Sequence, residues 1–452
     1  MTHPKKILIV AAVLTSISAF TQAEEKKTEF SLKEAQDYAV ENSYFTRSAM
    51  MDVTMAEQKV KEITRVGLPQ VTGKAGYNHF IDIPTQLAPA NSFDPSAPAD
   101  EFVEFQFGTK SNMNAGVYVN QMLFDGAYIV GLKASKTYRE LAYANEAKTK
   151  VEIKRDVVKA YGLAIVSALN LTYVKENEAK LKSLVEENQA MYDAGFMEEK
   201  DLDQVKLLLL QTQSVLIETE NSYKVSLDML KFTMGKPIAE EIVLTEDIEK
   251  IKDPFVAKEE NLNARLSLST HVDYRRATAN LESKSLSLSN EKMTYYPKLY
   301  GFLNLEGNSY GNEFNHFSSD GKWFPTTIVG VQLNVPIFTS GQRHMKVQQA
   351  KVGVEQAELQ LKQMEESLYL DVANKRNAYE AAMNKLDNNK QNLDLSSRIK
   401  DQTRVKYKEG MSSSVELTQT ENQFLQSQIN YVLSMYDVIT SKADLDYALG
   451  KL

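Results

Sequence analysis

The clearest pattern along the chain is an alternation of apolar and polar positions that occurs twice. Between residues 113 and 123 the apolar side chains take the odd positions, and the same alternation returns between residues 327 and 337. The two stretches lead to Gly126 and Gly341, and a long helical pattern follows each. Alternation with a period of two predicts a strand with one buried face. We therefore expect a short strand that feeds a long helix, twice.

A second pair of strands precedes these two in the same order. Leu68-Pro-Gln70 and Tyr296-Pro-Lys298 each stand between a helical pattern and an alternating one. The duplicated order predicts two structural repeats, residues 24–235 and 261–452, joined by a charged connector at 236–260. The four strands are predicted at about 70–82, 113–125, 298–308 and 326–338.

Helical patterns account for most of the remaining chain. They predict long helices at 127–192 and 342–408 and shorter ones at 199–234 and 413–449. At about 1.5 Å per residue the first would be roughly 100 Å long. Apolar residues recur every seven positions from Leu202 and from Leu417, with mostly small residues three positions further on. Heptads of this kind predict coiled-coil packing. The expected fold class is mainly α with a small β part.

The composition argues against a reactive site. The chain has 452 residues, a net charge of −8, no cysteine and five scattered histidines. Zero cysteine excludes thiolate ligands and nucleophiles, and the acidic balance disfavours nucleic acid. An enzyme built on a helical bundle would need a pair of Glu-x-x-His elements, and the sequence holds no such pair. We expect no catalytic residue, no cofactor, no metal and no nucleic-acid partner.

The first 23 residues have the composition of a secretory signal peptide. Lys5 and Lys6 precede an apolar run from 7 to 20, and Thr21 and Ala23 are small residues suited to cleavage after Ala23. No cysteine follows that could carry a lipid. No other segment has 18 consecutive apolar residues, so no further helix is expected to cross a bilayer. The mature chain is predicted to be either an exported soluble protein or a β-barrel protein.

The number of strands determines how many copies of the chain a closed membrane barrel would need. Four strands cannot close in lipid, where open edges leave backbone groups unpaired, and the smallest membrane barrels have eight strands. Two copies would supply eight strands and three would supply twelve. The alternation predicts a lipid-facing set made of Val117, Val119, Leu299, Leu303, Val331 and Leu333. It predicts a lumen-facing set made of Asn120, Asn304, Gln332 and Asn334.

In its order of motifs the sequence resembles the TolC-type outer-membrane efflux proteins. The resemblance rests on the paired strand entries, the two strand-to-glycine turns, the paired Tyr-x-x-Gly elements at Tyr192 and Tyr407, and the terminal Ala448-Leu-Gly-Lys451. It implies a homotrimer with a shared twelve-stranded barrel in the outer membrane of a Gram-negative cell and a coiled-coil helical barrel in the periplasm. It implies an efflux or type I secretion channel that works with a periplasmic adaptor protein and an inner-membrane transporter of the RND, ABC or MFS type. It also implies that the protein catalyses no reaction.

The same resemblance assigns the two helical turns to the periplasmic tip, where the adaptor binds. The residues carried over are Gly195, Phe196, Met197, Asp201, Leu202, Gly410, Met411, Glu416 and Leu417. The alternative is that these residues only cap and pack the hairpins. Some relatives have an acid at the position of Gln419, so an acidic aperture would depend on Asp201, Asp203, Glu416 and Glu421.

The alternative function is that of a periplasmic adaptor. A periplasmic coiled-coil adaptor bridging the inner and outer membranes would also carry heptads. It would, however, need a lipoyl-like or β-barrel module beside one hairpin, whereas this chain has two hairpins and four alternating strands.

Overall fold

The computed structural model describes residues 28–93, 95–98, 100–248, 255, 264–319 and 321–452. The predicted signal peptide and most of the connector after residue 248 lie outside the described residues. The helices are α1 Leu32–Asn42, α2 Tyr44–Val66, α3 Gly126–Asp193, α4 Glu199–Met234, α5 Val272–Met293, α6 Gln342–Lys408 and α7 Ser414–Leu449. The strands are β1 Glu29–Phe30, β2 Gln70–His79, β3 Thr85–Pro89, β4 Phe102–Gln106, β5 Ser111–Phe124, β6 Val243–Leu244, β7 Lys298–Gly311 and β8 Trp323–Asn334. A mainly helical chain with a small strand content is confirmed.

The chain divides into two compact units, of which the first is helical. It contains residues 1–48, 149–267 and 368–452. Its main core combines one large aromatic side chain from each long helix, Tyr161 of α3 and Tyr379 of α6, with apolar residues of α4 and α7. The hydroxyl of Tyr161 donates to the carbonyl oxygen of Phe30 at 2.9 Å, which satisfies a polar group that is otherwise buried. The core therefore binds the short β1–β6 pair to the long helices.

The heptads pack differently in α4 and α7. In α4 the row of small residues is the more buried one, with Val205, Thr212, Thr219 and Ser226 at most 6% exposed. In α7 all five members of the large row are buried, from Leu417 to Leu445. Thr212 and Thr219 donate their hydroxyls to the carbonyl oxygens four residues earlier, so burial leaves neither unpaired. Small side chains on one helix and large ones on the other allow α4 and α7 to approach closely.

The apolar content of α3 is accounted for by packing. One 18-residue window of α3 is apolar enough in composition to match a membrane span, and half of that window is buried. Val157, Val158 and Ile165 of α3 belong to the main core of the helical unit. This helix is therefore a core helix.

The second unit, residues 49–148 and 268–367, contains one four-stranded antiparallel sheet. The strand order is β2-β5-β7-β8, so β2 and β8 form its edges. The stretch between β2 and β5 contains a separate hairpin, β3–β4. Its alternation is short and broken by prolines, which explains why the sequence alone did not indicate it.

Two strands end earlier than predicted. β2 stops at His79 and β8 stops at Asn334, whereas the predicted ends were 82 and 338. Pro336 explains the second difference because it lacks the N–H that a strand ladder requires. Phe338, which the sequence pattern placed at a strand end, lies outside β8 and is 85% exposed.

The junction between β5 and α3 is held by a carboxylate. Asp125 accepts hydrogen bonds from the backbone N–H groups of Ala127 and Tyr128 at 2.9 and 3.4 Å. Its other oxygen lies 2.8 Å from Nζ of Lys298 at the start of β7. The side chain thus caps α3 and links it to the sheet.

Two glycines with similar backbone angles give a test of packing at helix ends. Gly195 and Gly235 have φ of 78° and 79°, but a Cβ on Gly195 would meet nothing within 4 Å. A Cβ on Gly235 would collide with the Asn42 carbonyl oxygen and lie 2.8 Å from Cα of Ser43. We expect Gly195→Ala to cost about 1 to 2 kcal/mol, the usual cost of a left-handed residue. Gly235→Ala should cost clearly more.

The measurement is thermal unfolding of the purified mature protein in mild detergent, followed by its helical circular dichroism. Gly195→Ala serves as the control because it carries the strain without the collision. Equal loss in the two variants would contradict the close approach of Gly235 to the α1–α2 boundary.

Candidate functional site

The two predicted tips share one turn geometry. After α3, Gly195 donates its N–H to the carbonyl oxygen of Tyr192 at 2.9 Å, and Phe196 donates to Met191 at 2.9 Å. After α6, the N–H groups of Gly410 and Met411 make the same two bonds at 3.0 and 2.8 Å. Gly410 has φ of 73°. Both turns are Schellman motifs, which need a residue of positive φ and therefore favour glycine.

The residue after each glycine is apolar and projects from the surface. Phe196 is 82% exposed and Met411 is 66% exposed, whereas Met197 is half-buried. Within the chain neither exposed side chain is needed for packing. Each therefore presents apolar surface that a partner could cover.

The two leucines assigned to the tip have a different position. Leu202 is 2% exposed, and Leu417 is fully buried among Leu184, Val205 and Leu208. In this conformation they offer no surface to another protein. Their role at the tip is to pack the hairpins, so contact with a partner depends on the exposed residues before them.

The two predicted acids of the tip both lie in the first turn of a helix. Glu416 accepts a hydrogen bond from the Ser412 hydroxyl at 2.7 Å, and its own N–H donates to Ser413 Oγ at 3.2 Å. Asp201 accepts a hydrogen bond from the hydroxyl of Ser414. Negative charge in the first turn is favourable because of the helix dipole. Asp201 has the additional effect of linking the first hairpin to the second.

Further polar bonds join the hairpins beside the turns. Asn188 donates its side-chain N–H to the hydroxyl oxygen of Tyr407 at 2.9 Å. Burial raises the pKa of the Tyr407 hydroxyl, so this group stays protonated at neutral pH.

The two turns enclose a cleft of about 740 Å³, lined by Phe196, Met197 and Gly410 among others. The tip therefore combines an open cleft with exposed apolar side chains at its border.

Glu421, the acid five residues after Glu416, differs from an exposed carboxylate. It is partly buried, and within the described residues its Oε1 has no hydrogen-bond partner. Burial raises the pKa of the Glu421 carboxyl, although the charges of Arg404 and Lys400 act in the opposite direction. The contribution of Glu421 to an acidic aperture stays a prediction.

The register of the sheet separates the two predicted sets of strand residues. Val119 pairs with Leu303, and Leu299 pairs with Leu333, so the apolar residues share one face. The six predicted lipid-facing residues, Val117, Val119, Leu299, Leu303, Val331 and Leu333, all lie on this apolar face. The four predicted lumen-facing residues, Asn120, Asn304, Gln332 and Asn334, all lie on the opposite, polar face. Which medium each face meets stays a prediction.

The polar face carries aromatic and charged side chains as well as amides. Tyr118 donates its hydroxyl to Glu306 Oε2 at 3.1 Å, and Nζ of Lys74 lies 5.1 Å from the centre of the Tyr118 ring. The Phe302 ring covers Gly330, where a Cβ would lie 2.7 Å from Cζ of the ring. This face therefore combines aromatic rings with polar groups, and both Lys74 and Glu306 interact with Tyr118.

No group of three or more His, Asp or Glu side chains that could hold a metal ion occurs among the residues whose positions are described. The buried His316 bonds to serine hydroxyls in place of carboxylates.

Relatives match nearly the whole chain, whereas a family model matches its second part. A family model described as outer membrane efflux protein matches residues 265–451. The chain is 22% identical to the outer membrane protein TolC of Vibrio cholerae over 455 aligned residues, which cover 98% of this chain and 95% of TolC.

Solved structures show the same fold at low identity. The Campylobacter jejuni CmeC outer membrane channel matches with a TM-score of 0.67 and 16% identity, covering 93% of this chain and 85% of CmeC. The open state of the Neisseria gonorrhoeae MtrE outer membrane channel matches with a TM-score of 0.68 and 17% identity, covering 93% and 88%.

Glu421 generates a prediction about pH. Because the folded pKa of Glu421 is raised, the contribution of this carboxyl to stability is fully present below its unfolded pKa of about 4.5 and is lost as the pH rises through the folded pKa. We expect Glu421→Gln to raise the melting temperature at neutral pH and to change it little below pH 4.5. Thermal unfolding at several pH values measures the melting temperature in both pH ranges, with the exposed Glu358→Gln as the control. A lower melting temperature at neutral pH would show that Arg404 and Lys400 outweigh burial.

Proposed function

We infer that this chain, which belongs to the family of outer membrane efflux proteins, is the outer-membrane channel of a tripartite efflux or type I secretion system. It conducts substrates from the periplasm and an inner-membrane pump to the exterior. It resides in the outer membrane with a periplasmic extension, after removal of a signal peptide near Ala23. The observation that carries this conclusion is a match to TolC that covers both chains almost completely.

The sheet supports a barrel shared between copies. Its apolar face includes Val329, Val331 and Leu333 on the edge strand β8, which are 80%, 71% and 62% exposed. Such a surface is unfavourable in water and suited to lipid. We propose that three copies form a homotrimer in which twelve strands close the barrel, with the polar face towards the lumen. Closure would pair the edge strands β2 and β8 of neighbouring copies.

The helical unit supports the same association. Six large apolar side chains of α4 are more than half exposed, and they recur at helical spacing: Leu207, Leu210, Ile217, Val225, Met229 and Phe232. A monomer in water rarely leaves such a stripe uncovered. We propose that helices of neighbouring copies cover it and complete a coiled-coil barrel in the periplasm.

The tip is the proposed contact with the other components. Phe196 and Met411 would insert into a periplasmic adaptor protein, with Gly195, Gly410 and Met197 shaping the surface and Asp201 and Glu416 holding the turns. The adaptor would connect the channel to an inner-membrane transporter of the RND, ABC or MFS class. Two structural repeats, 24–235 and 261–452, would provide one hairpin each, and residues 236–260 would connect them.

The adaptor function is not favoured for this chain itself. The relatives, which are matched over 85% to 95% of their length, are outer membrane proteins and channels. The family is one of transport channels, and the activity proposed here requires no catalytic group.

The tip proposal predicts a defect in export without a defect in assembly. Replacing both Phe196 and Met411 with Asp would place charges in the adaptor interface, at a cost of about 3 kcal/mol or roughly a hundredfold in affinity. We expect cells that depend on the variant to lose resistance to a panel of dyes, detergents and antibiotics, while the channel still assembles. Ile238→Asp, a similarly exposed apolar position of the helical unit, is the control. Unchanged resistance with the double variant would exclude the two side chains as adaptor contacts.

The barrel proposal predicts opposite outcomes at neighbouring positions. Arginine on a lipid-facing strand costs about 2 to 4 kcal/mol at mid-bilayer depth, so Val331→Arg should reduce the amount of trimer in outer membranes. Gln332→Arg, one residue further along on the polar face, should be tolerated. The detergent-corrected particle mass of protein extracted from outer membranes measures both.

Three chains per particle for the native protein and for Gln332→Arg are expected. A native monomer, or native protein found in the soluble periplasmic fraction, would overturn the channel. Equal tolerance of the two substitutions would overturn only the assignment of the faces.

A further inference from the structure

The loop between β7 and β8 folds back over one face of the sheet instead of extending away from it. Its His316 is 1% exposed and lies between two serine hydroxyls, with Nε2 2.7 Å from Ser111 Oγ and Nδ1 2.9 Å from Ser309 Oγ. Ser111 belongs to β5 and Ser309 to β7, and both are buried. The indole N–H of Trp323 donates to the His316 carbonyl oxygen at 3.0 Å, which closes the loop.

The register shows that the loop crosses the whole sheet along one row of residues. Tyr77 of β2 pairs with Met113 of β5, Met113 pairs with Ser309 of β7, and Ser309 pairs with Trp323 of β8. Within the loop, the Phe314 ring contacts Tyr77 at 5.2 Å between centroids, and the Phe317 ring contacts Trp323 at 6.3 Å. We call residues 312–319 the strap.

The strap covers the apolar face. Ser309 and Trp323 lie on the same face as Leu303 and Val329, since an even number of residues separates them along each strand. The strap therefore lies over the part of this face where β5 and β7 carry the hydroxyls of Ser111 and Ser309, and His316 bonds to both hydroxyls. The strap covers these hydroxyls and exposes the rings of Phe314 and Phe317, which are 64% and 71% exposed.

The distance along the strands relates this row to the thickness of a bilayer. The row of Leu299 and Leu333 is ten residues from the row of Ser309 and Trp323. At about 3.4 Å per residue and a strand tilt of about 40° this corresponds to a height of about 25 Å, which is the height of the apolar band of an outer-membrane barrel. The row that contains Tyr77 and Trp323 thus lies at one boundary of the apolar band, where Trp and Tyr are favoured.

We propose that the strap is a membrane-interface anchor that binds the outer leaflet of the outer membrane at the boundary between headgroups and acyl chains. This inference rests on the proposed barrel. Continuity with the apolar face argues for lipid as the occupant. The bonded indole N–H and the exposed phenyl rings form a surface with a polar edge and an apolar body, as that boundary requires. Repeated in each copy, the strap would place aromatic rings around the whole barrel.

The chain supplies its own probe, because Trp323 is its only tryptophan. The full mature protein is reconstituted into phosphatidylcholine vesicles whose acyl chains carry bromine either near the headgroup or near the chain end. We expect Trp323 fluorescence to be quenched most by the shallow bromines and little by acrylamide in the water. His316→Ala, which removes both serine contacts, should lose most of the shallow quenching and become accessible to acrylamide.

The matched control is Phe324→Ala. Phe324 is the next residue of β8, lies on the polar face against Tyr310 at 6.1 Å between ring centroids, and is exposed to a similar degree as the strap rings. Its removal should leave the bromine quenching unchanged. A change equal to that of His316→Ala would mean that quenching reports general disturbance of the rim, and would overturn the anchor.

The native protein alone also decides the question. Quenching by acrylamide without quenching by bromine would place the strap in water. Shielding from both quenchers would mean that a neighbouring copy covers it; either result overturns the proposal. Particle mass and ion conductance are measured in the same preparation, so failure to form conducting trimers would count against the channel, whereas conducting trimers with unquenched Trp323 would count against the anchor alone.

Discussion

The structure depends above all on the need of backbone N–H and C=O groups for hydrogen-bond partners. The sheet β2-β5-β7-β8 pairs its two inner strands on both sides, but β2 and β8 have a strand neighbour on one side only. Water can satisfy an open edge, whereas hydrocarbon cannot. In an outer-membrane channel the sheet is therefore incomplete as a single chain. This requirement supports the proposed association of several copies, and the exposed apolar stripe of α4 is a second observation in its favour.

In the helical unit, α4 buries a row of small side chains and α7 buries a row of large ones. Along α4 the small row from Val205 to Ser226 is buried, which leaves larger residues such as Ile217 and Phe232 on the outside. In α7 the large row is buried instead, with Tyr431 and Leu445 in the main core. The small side chains of α4 thus allow neighbouring helices to approach closely, and the large side chains of α7 fill the core. The same arrangement frees an apolar surface for association without weakening the core.

At the proposed tips, the residues that stabilise the turns differ from those proposed to bind a partner. Gly195 and Gly410 adopt the positive φ that the turns need, and Leu202 and Leu417 fill the space between helices. Phe196 neither adopts the positive φ of the turn nor fills the space between the helices, and it stays exposed. A binding surface of this kind can vary with its partner while the hairpin stays stable, because the side chains that stabilise it are elsewhere.

Much of the fold could be predicted from the sequence, for local reasons. Alternation with period two, heptads and glycine-terminated helices are properties of neighbouring residues, so the long helices, the four strands and their apolar and polar sets were all indicated. Only the tertiary structure decided where distant residues meet. Ser111 and His316 are 205 positions apart, and no spacing indicates that they bond. Glu421 has the sequence context of a tip acid, yet in the structure it is partly buried. Burial and long-range pairing depend on how elements pack against one another, and a local pattern carries no information about that.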